Sequence, residues 1–333
     1  MSGEEGAVRA VDILRAGPLT TIQDLGRPGY AHLGVSRSGA ADRGTLTLVN
    51  RAVGNQPDAA AFETTLGGMT LRALYPLVVA VGGAIAPVTV DGRPAAWCAP
   101  VRLAAGSMLD VGAATLGVRS YVAVAGGVDV PPVLGSRATD LLARLGPAPV
   151  RDGDRVAIGP APDRLDHPHQ TADADHAAAS AQAGGTDDPD RPDAAVWEAA
   201  AIATAPDFLP FRAPRPAFEL PLLPAPRPGL FAEDALAALS GAEYTVGSAS
   251  NRIALRLDGP AVRRAGPDTI PSEGTVLGAV QVPADGRPII FLADHPPTGG
   301  YPVIGVVPEA ALDLCAQAAP GARVRFRPVR HLG

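Results

Sequence analysis

Apolar and polar residues alternate with a period of two in several short stretches, the spacing of a strand that buries one face. Ile253, Leu255 and Leu257 fall on one side of the run Ile253 to Asp258, with polar residues on the other. Val324 and Phe326 alternate in the same way with Arg323, Arg325 and Arg327, and Ser120 to Ala125 reads as a further strand. The longest apolar stretch, Leu77 to Val90, is shorter than the ~20 residues of a bilayer span and is broken by Gly82, Gly83 and Pro87, so it reads as a buried strand pair. Asp91-Gly92 and Asp285-Gly286, each followed by Arg-Pro, sit between strand-like runs and predict hairpin turns. Helical spacing is confined to three short stretches. Ala40 to Val53 places Ala41, Leu48, Val49 and Ala52 on one stripe, with Ser38 as N-cap and Gly54 past the end. Ala232 to Leu239 is the second, and Pro308 opens the third, whose Leu312, Cys315 and Ala316 face one way. The pattern predicts a mainly β protein, two barrels or sandwiches with a few short covering helices.

Composition divides this pattern. The 333 residues include 38 Gly and 35 Pro, which disfavours long helices, while 47% hydrophobic residues can fill real cores. Over 161–206 the chain turns to Ala, Asp, Pro, Gln and His with almost no large apolar side chain, the composition of a disordered linker. It separates an N-terminal domain, 8–160, from a C-terminal one, 207–331. His167, His169 and His176 are loosely spaced within it, and Cys98 and Cys315 lie far apart, so no metal site and no disulfide framework is expected. Ile22-Gln23 ahead of Gly26-Arg27-Pro28, and Val280-Gln281 ahead of Gly286-Arg287-Pro288, form a faint echo that permits two domains of similar fold.

Charge and residue type then exclude chemistry. The 28 basic residues are all arginine. Without lysine the chain has no phosphate-loop Lys, no Schiff base and no acceptor amine for biotin, so such groups would come from a partner chain. A net charge of -6 with no basic cluster argues against nucleic acid. Glu4 and Glu5 precede any apolar run, the wrong order for a secretory signal, and a cytoplasmic protein is expected.

Three segments are rich in polar residues and glycine between strand-like runs, as loops that present a site are. The first sets Asp24 three residues before Arg27, which reads as a loop-fixing pair or, equally, as a binding pair with Arg27 for a substrate carboxylate. Further on, Ser38-Gly39 leads into the first helix near Asp42. Free N–H groups at a helix start suit an oxyanion, although Ser38 reads equally as a cap. Glu63, between Phe62 and Thr64, is placed for half burial and a perturbed pKa. The second segment offers Ser272, Glu273 as a general base, and Gln281, whose amide pairs with a urea-like or lactam-like group. In the third, Asp294 and His295 are neighbours whose side chains diverge on an extended strand, so they make no dyad. Asp294 stands as an alternative base. Thr298-Gly299-Gly300, with Tyr301 next, suits an anion nest or a plain turn.

Read together, Thr21 to Tyr30, Ser38-Gly39-Ala40-Ala41-Asp42, Gly54-Asn55, Ala125-Gly126-Gly127-Val128, Leu134-Gly135-Ser136-Arg137, Asn251-Arg252, Ser272-Glu273-Gly274 and Thr298-Gly299-Gly300-Tyr301 resemble the biotin-dependent carboxyltransferase family. Its members include the C-type subunit of 5-oxoprolinase, allophanate hydrolase subunit 2 and KipI antagonist. The chain departs from the family's pattern at Ile253-Ala254 and at His295 and Pro297, where a more polar pair is common. The resemblance implies two cyclophilin-like β-barrel domains. It also implies a role in ATP-dependent opening of 5-oxo-L-proline to L-glutamate, with two partners: a cyclophilin-like B-type subunit and a third, A-type subunit of 5-oxoprolinase. ATP would be used by the complex and not bound by this chain alone, and no biotin would be attached to it. The residues expected to take part are Glu273, Asp294 and Ser38 in catalysis, and Asp24, Arg27, Asp42, Glu63, Ser272, Gln281, Thr298, Gly299, Gly300 and Tyr301 in substrate binding. Two alternatives carry over from the family: a carboxyltransferase or allophanate hydrolase component of urea or other amide metabolism, and a non-catalytic binding protein that antagonises a kinase inhibitor.

Overall fold

The computed structural model describes residues 9–162, 213–266 and 269–329. The segment expected to be a linker, with its three histidines, lies from 163 onward outside the described residues.

The first half holds eleven strands: β1 (Ala10–Arg15), β2 (Leu19–Gln23), β3 (Ala61–Thr65), β4 (Gly67–Ala73), β5 (Leu77–Ile85), β6 (Val88–Val90), β7 (Arg93–Pro94), β8 (Pro100–Leu103), β9 (Met108–Ala113), β10 (Leu116–Val124) and β11 (Arg155–Ala157). They form a 6-stranded sheet, β11-β1-β4-β9-β6-β7, and a 5-stranded sheet, β2-β3-β10-β5-β8. Both inner faces contribute to one core, with Ile13, Leu71 and Leu109 meeting Phe62, Val81 and Val122. The apolar run Leu77 to Val90 is two strands, as expected, but they do not pair with each other. Pro87 lies where the chain leaves β5 in one sheet for β6 in the other, so the run spans both layers. At the predicted hairpin, Asp91 (φ 50) and Gly92 (φ 77) turn β6 into β7, the left-handed pair that a two-residue hairpin demands.

Helix α1 (Arg43–Ala52) lies on the outer face of the second sheet, its Leu46 and Val49 against Ala80 and Tyr121. It begins later than its apolar stripe suggests. Asp42 is the N-cap, its carboxylate accepting from Thr45 N at 2.9 Å, whereas Ser38 sits at φ 51 in the loop before it.

The second half holds β12 (Ala217–Pro224), β13 (Tyr244–Val246), β14 (Ala254–Asp258), β15 (Glu273–Gly274), β16 (Ala279–Gln281), β17 (Ile289–Phe291), β18 (Thr298–Gly299), β19 (Val303–Val306) and β20 (Arg323–Pro328). Strands β12-β19-β16-β17-β14-β13-β20 close a barrel, completed by the parallel pairing of β12 with β20. The alternation read in β14 and β20 holds: Leu255, Leu257, Val324 and Phe326 fill the barrel, with Arg256, Arg323 and Arg325 outside. Helix α2 (Ala235–Gly241) and helix α3 (Glu309–Ala316) add Leu239, Leu312 and Cys315 to that core. β15 and β18 stand apart as a two-stranded ribbon. Among the described residues the chain is mostly β with three α-helices, and no helix is long and apolar enough to cross a membrane.

Candidate functional site

The two halves meet along a seam of buried polar side chains. Register creates its N-terminal side: Glu63 on β3 lies directly opposite Tyr121 on β10, and Arg119 follows on the same face of β10. Tyr121 donates its hydroxyl to Glu63 Oε2 at 2.7 Å and accepts from Asp42 N at 2.8 Å. Ala41 N also donates to Glu63 Oε2, at 3.0 Å. The C-terminal side is the loop ahead of β14, held against the segment after β17 by Asp294 N donating to Arg252 O at 3.0 Å. Arg252 reaches across from there. It donates to Glu63 Oε1, to Gly39 O at 2.6 Å, and to both oxygens of Asp294 at 2.9 and 3.0 Å. Ser38 Oγ donates to Asp294 Oδ1 at 2.6 Å, so the N-terminal loop closes the same carboxylate from the other side.

Gln317, just past α3, extends the seam. Its Oε1 accepts from Val118 N and Arg119 N, both at 3.0 Å, while its Nε2 donates to Asp42 Oδ2 at 2.7 Å and Arg119 O at 2.8 Å. Ion pairs at its edge join Glu309 of α3 to Arg37 and Arg43.

The electrostatics follow from burial. Burial pushes the Glu63 carboxyl up, but Arg252 and Arg119 beside it outweigh that and hold it below its ordinary value. Burial acts against the charge of Arg252 as well, yet Asp294 and Glu63 raise its pKa further still. Among the described residues Asp42 has no cation as a hydrogen-bond partner, and burial raises it. Tyr121 is pushed well above the phenol range by burial and by the carboxylates around it.

Above the seam lies the exposed β15–β18 ribbon, which pairs Glu273 with Gly299 and Gly274 with Thr298. The second and third polar segments therefore do come together. Ser272, Thr298 and Tyr301 are exposed along it. Glu273, its side chain 27% exposed, pairs with Arg227 from the loop after β12. Gln281 braces the ribbon, donating to Tyr301 O at 3.2 Å, and a Cβ at Gly299 would stand 2.5 Å from the Gln281 amide nitrogen and displace it.

Several expected roles change. Asp24 and Arg27 do not pair with each other and do not face the ribbon. Asp24 accepts from Gly26 N, Ser136 Oγ and Arg137 N, and the buried Arg27 donates to Val133 O and Ala138 O. Both hold loops, so Arg27 is not free for a substrate carboxylate. Neither Gly299 nor Gly300 has the left-handed φ of an anion nest, because the ribbon's ladder keeps that segment extended and Gly300 O accepts from Ile270 N. Ser38, Asp42, Glu63 and Asp294 are brought together but buried, Ser38 bonded to Asp294 directly, Glu63 tied to Asp294 through Arg252 and to Asp42 through Tyr121, so they position other groups. Asp294 and His295 share no hydrogen bond among the described residues, but strand geometry is not the reason: they follow β17 in a turn, His295 N donating to Leu292 O at 3.1 Å, and the His295 ring stacks on Phe291. The members of the seam that sequence reasoning missed as site residues are Arg252, Arg119, Tyr121 and Gln317. Of these only Arg119 carried a signal: an arginine inside the apolar run of β10 requires a buried partner.

A model of the carboxyltransferase domain, subdomain A and B, matches residues 33–328. The chain belongs to this family. It is 33% identical to the C-type 5-oxoprolinase subunit of Escherichia coli (strain K12), over 94% of this chain and 89% of that protein. It is 30% identical to urea amidolyase of Lachancea kluyveri, over 97% of this chain but only 17% of that protein. The crystal structure of the K. lactis urea amidolyase superposes on 98% of this chain with a TM-score of 0.79 at 28% identity, again over only 19% of the longer chain. The relatives are enzymes or subunits of enzymes.

Proposed function

We propose that this chain is the C component of an ATP-dependent 5-oxoprolinase, acting with partner subunits to open 5-oxo-L-proline to L-glutamate. The observation that carries the reading is the match to the C-type subunit of the Escherichia coli 5-oxoprolinase over 94% of this chain and 89% of that protein. A chain without lysine fits a component that leaves nucleotide binding and any covalent carrier to its partners. Of the two candidate bases, Glu273 is the one with solvent access, and it sits on the ribbon beside Ser272 and Thr298. Asp294 and Ser38 hold the ribbon's supporting loop in place. Opening a lactam develops negative charge on the carbonyl oxygen, so exposed hydroxyls on that rim supply donors where the charge appears. The test is glutamate release from 5-oxoproline and ATP by the partner subunits with and without this chain. Release that requires the chain supports the reading, and release indifferent to it overturns the reading.

A further inference from the structure

Next to the ribbon, the end of β12, the 3-10 turn Pro228–Leu230, the start of α2 and the start of β19 enclose a cleft of about 350 Å³. Its walls are apolar, with Pro224, Pro228, Phe231 and Ile304 among them, and its charged lining residues are Arg227 and Glu233. Arg227 is held at the mouth by Glu273, with 52% of its side chain exposed. Val303, a few residues beyond β18, carries the ribbon directly into the cleft wall. Apolar walls with a guanidinium in the lining, and with the second charge, Glu233, exposed to solvent, suit a small ring that carries a carboxylate. The walls take the ring carbons out of water, and the planar N–H fork takes both carboxylate oxygens.

We propose that this cleft binds 5-oxo-L-proline, that Arg227 receives its carboxylate, and that the ligand displaces Glu273 from Arg227 as it enters. The proposal rests on the function proposed above and adds the place and the specificity determinant. An exposed ion pair is weakly held, so an incoming carboxylate exchanges with Glu273 at little cost. The exchange leaves the Glu273 carboxylate unpaired beside the bound lactam, and so couples arrival of the substrate to release of the candidate base. Arg27, engaged with backbone carbonyls, has no such freedom.

The experiment is a titration of the full chain with 5-oxo-L-proline and with 2-pyrrolidinone, the same ring without a carboxylate, followed by NMR for wild type and Arg227→Gln. Wild type is expected to prefer 5-oxo-L-proline by roughly tenfold, and Arg227→Gln to lose the preference. Absence of binding, equal binding of the two rings by wild type, or undiminished preference in the variant each overturns the proposal. In the assembled enzyme Arg227→Gln is expected to raise KM roughly tenfold. Wild-type turnover with an unchanged KM in the variant overturns the cleft and leaves the function standing. A complex that releases no glutamate, while the carboxylate-dependent binding persists, overturns the function and leaves the cleft.

Discussion

Asp294 and Glu273 lie near each other in the second half of the chain, yet one is buried in the seam and the other stands on the ribbon. Asp294 accepts from Ser38 and twice from Arg252, with no exposed side-chain surface. Glu273 holds a single exposed arginine. A carboxylate whose lone pairs are taken by buried donors is committed to holding structure, and one with a weak exposed partner is available to a ligand. The seam and the rim divide the labour accordingly.

The largest effect belongs to the seam. Arg252→Met leaves Glu63 and Asp294 as buried charges without their shared partner, and a loss of about 3–5 kcal/mol in urea denaturation is expected. Arg252→Lys should recover little, because one ammonium cannot reproduce the fork that spans Glu63, Gly39 O and Asp294. A cost below about 1 kcal/mol for Arg252→Met, the range of an exposed pair, would erase the distinction between seam and rim.

Next comes the rim. Glu273→Gln should lower turnover of the assembled enzyme roughly 100-fold or more while stability stays within about 0.5 kcal/mol of wild type. Asp294→Asn should do the reverse, losing stability first. If Asp294→Asn instead cut turnover in a fully stable protein, the buried carboxylate would be the base and the assignment would invert.

Glu63 sharpens the comparison through pH. Its folded pKa is depressed below the ordinary 4.5, so the stability it contributes is present above that value and is lost as pH falls through the folded pKa. Glu63→Gln should be less stable at neutral pH and lose less on acidification below about 4.5. Asp42, shifted upward by burial, acts in the opposite sense, so the difference between variant and wild type is the readout.

Strands and turns were legible because their causes are local. Alternation marked β14 and β20, and Asp91-Gly92 marked a hairpin whose φ values that pair adopts readily. The sheet change after Leu77–Ile85 was not, since which sheet a buried strand joins is decided by its partners. The site divides in the same way. Glu63 stood out as a charge placed between Phe62 and Thr64 in a strand-like run, but Arg252 could be placed only once the two halves met, 189 residues apart along the chain. The Gln23 and Gln281 echo has a shared physical content: each amide ends a strand and donates to a backbone carbonyl, of Thr139 at 3.0 Å and of Tyr301 at 3.2 Å.

The smallest effect is expected at the boundary between the two regions. His295 stacks on Phe291 with ring centroids 5.6 Å apart, and its Nδ1 lies 2.9 Å from Pro296 O and 3.3 Å from Thr275 Oγ1. Burial lowers its pKa from the ordinary 6.5, against the opposing pull of Pro296 O, Asp294 and Asp140. Between the folded and unfolded pKa values the unfolded chain binds the extra proton, so stability is whole above about 6.5 and declines as pH falls from there. One proton bounds the slope at about 1.4 kcal/mol per pH unit. Denaturation of wild type and His295→Gln at pH 7.5 and pH 5.5 should show the wild type losing more on acidification. Equal losses would mean that His295 titrates as freely as a rim residue, and the boundary of the seam would then lie inside Asp294.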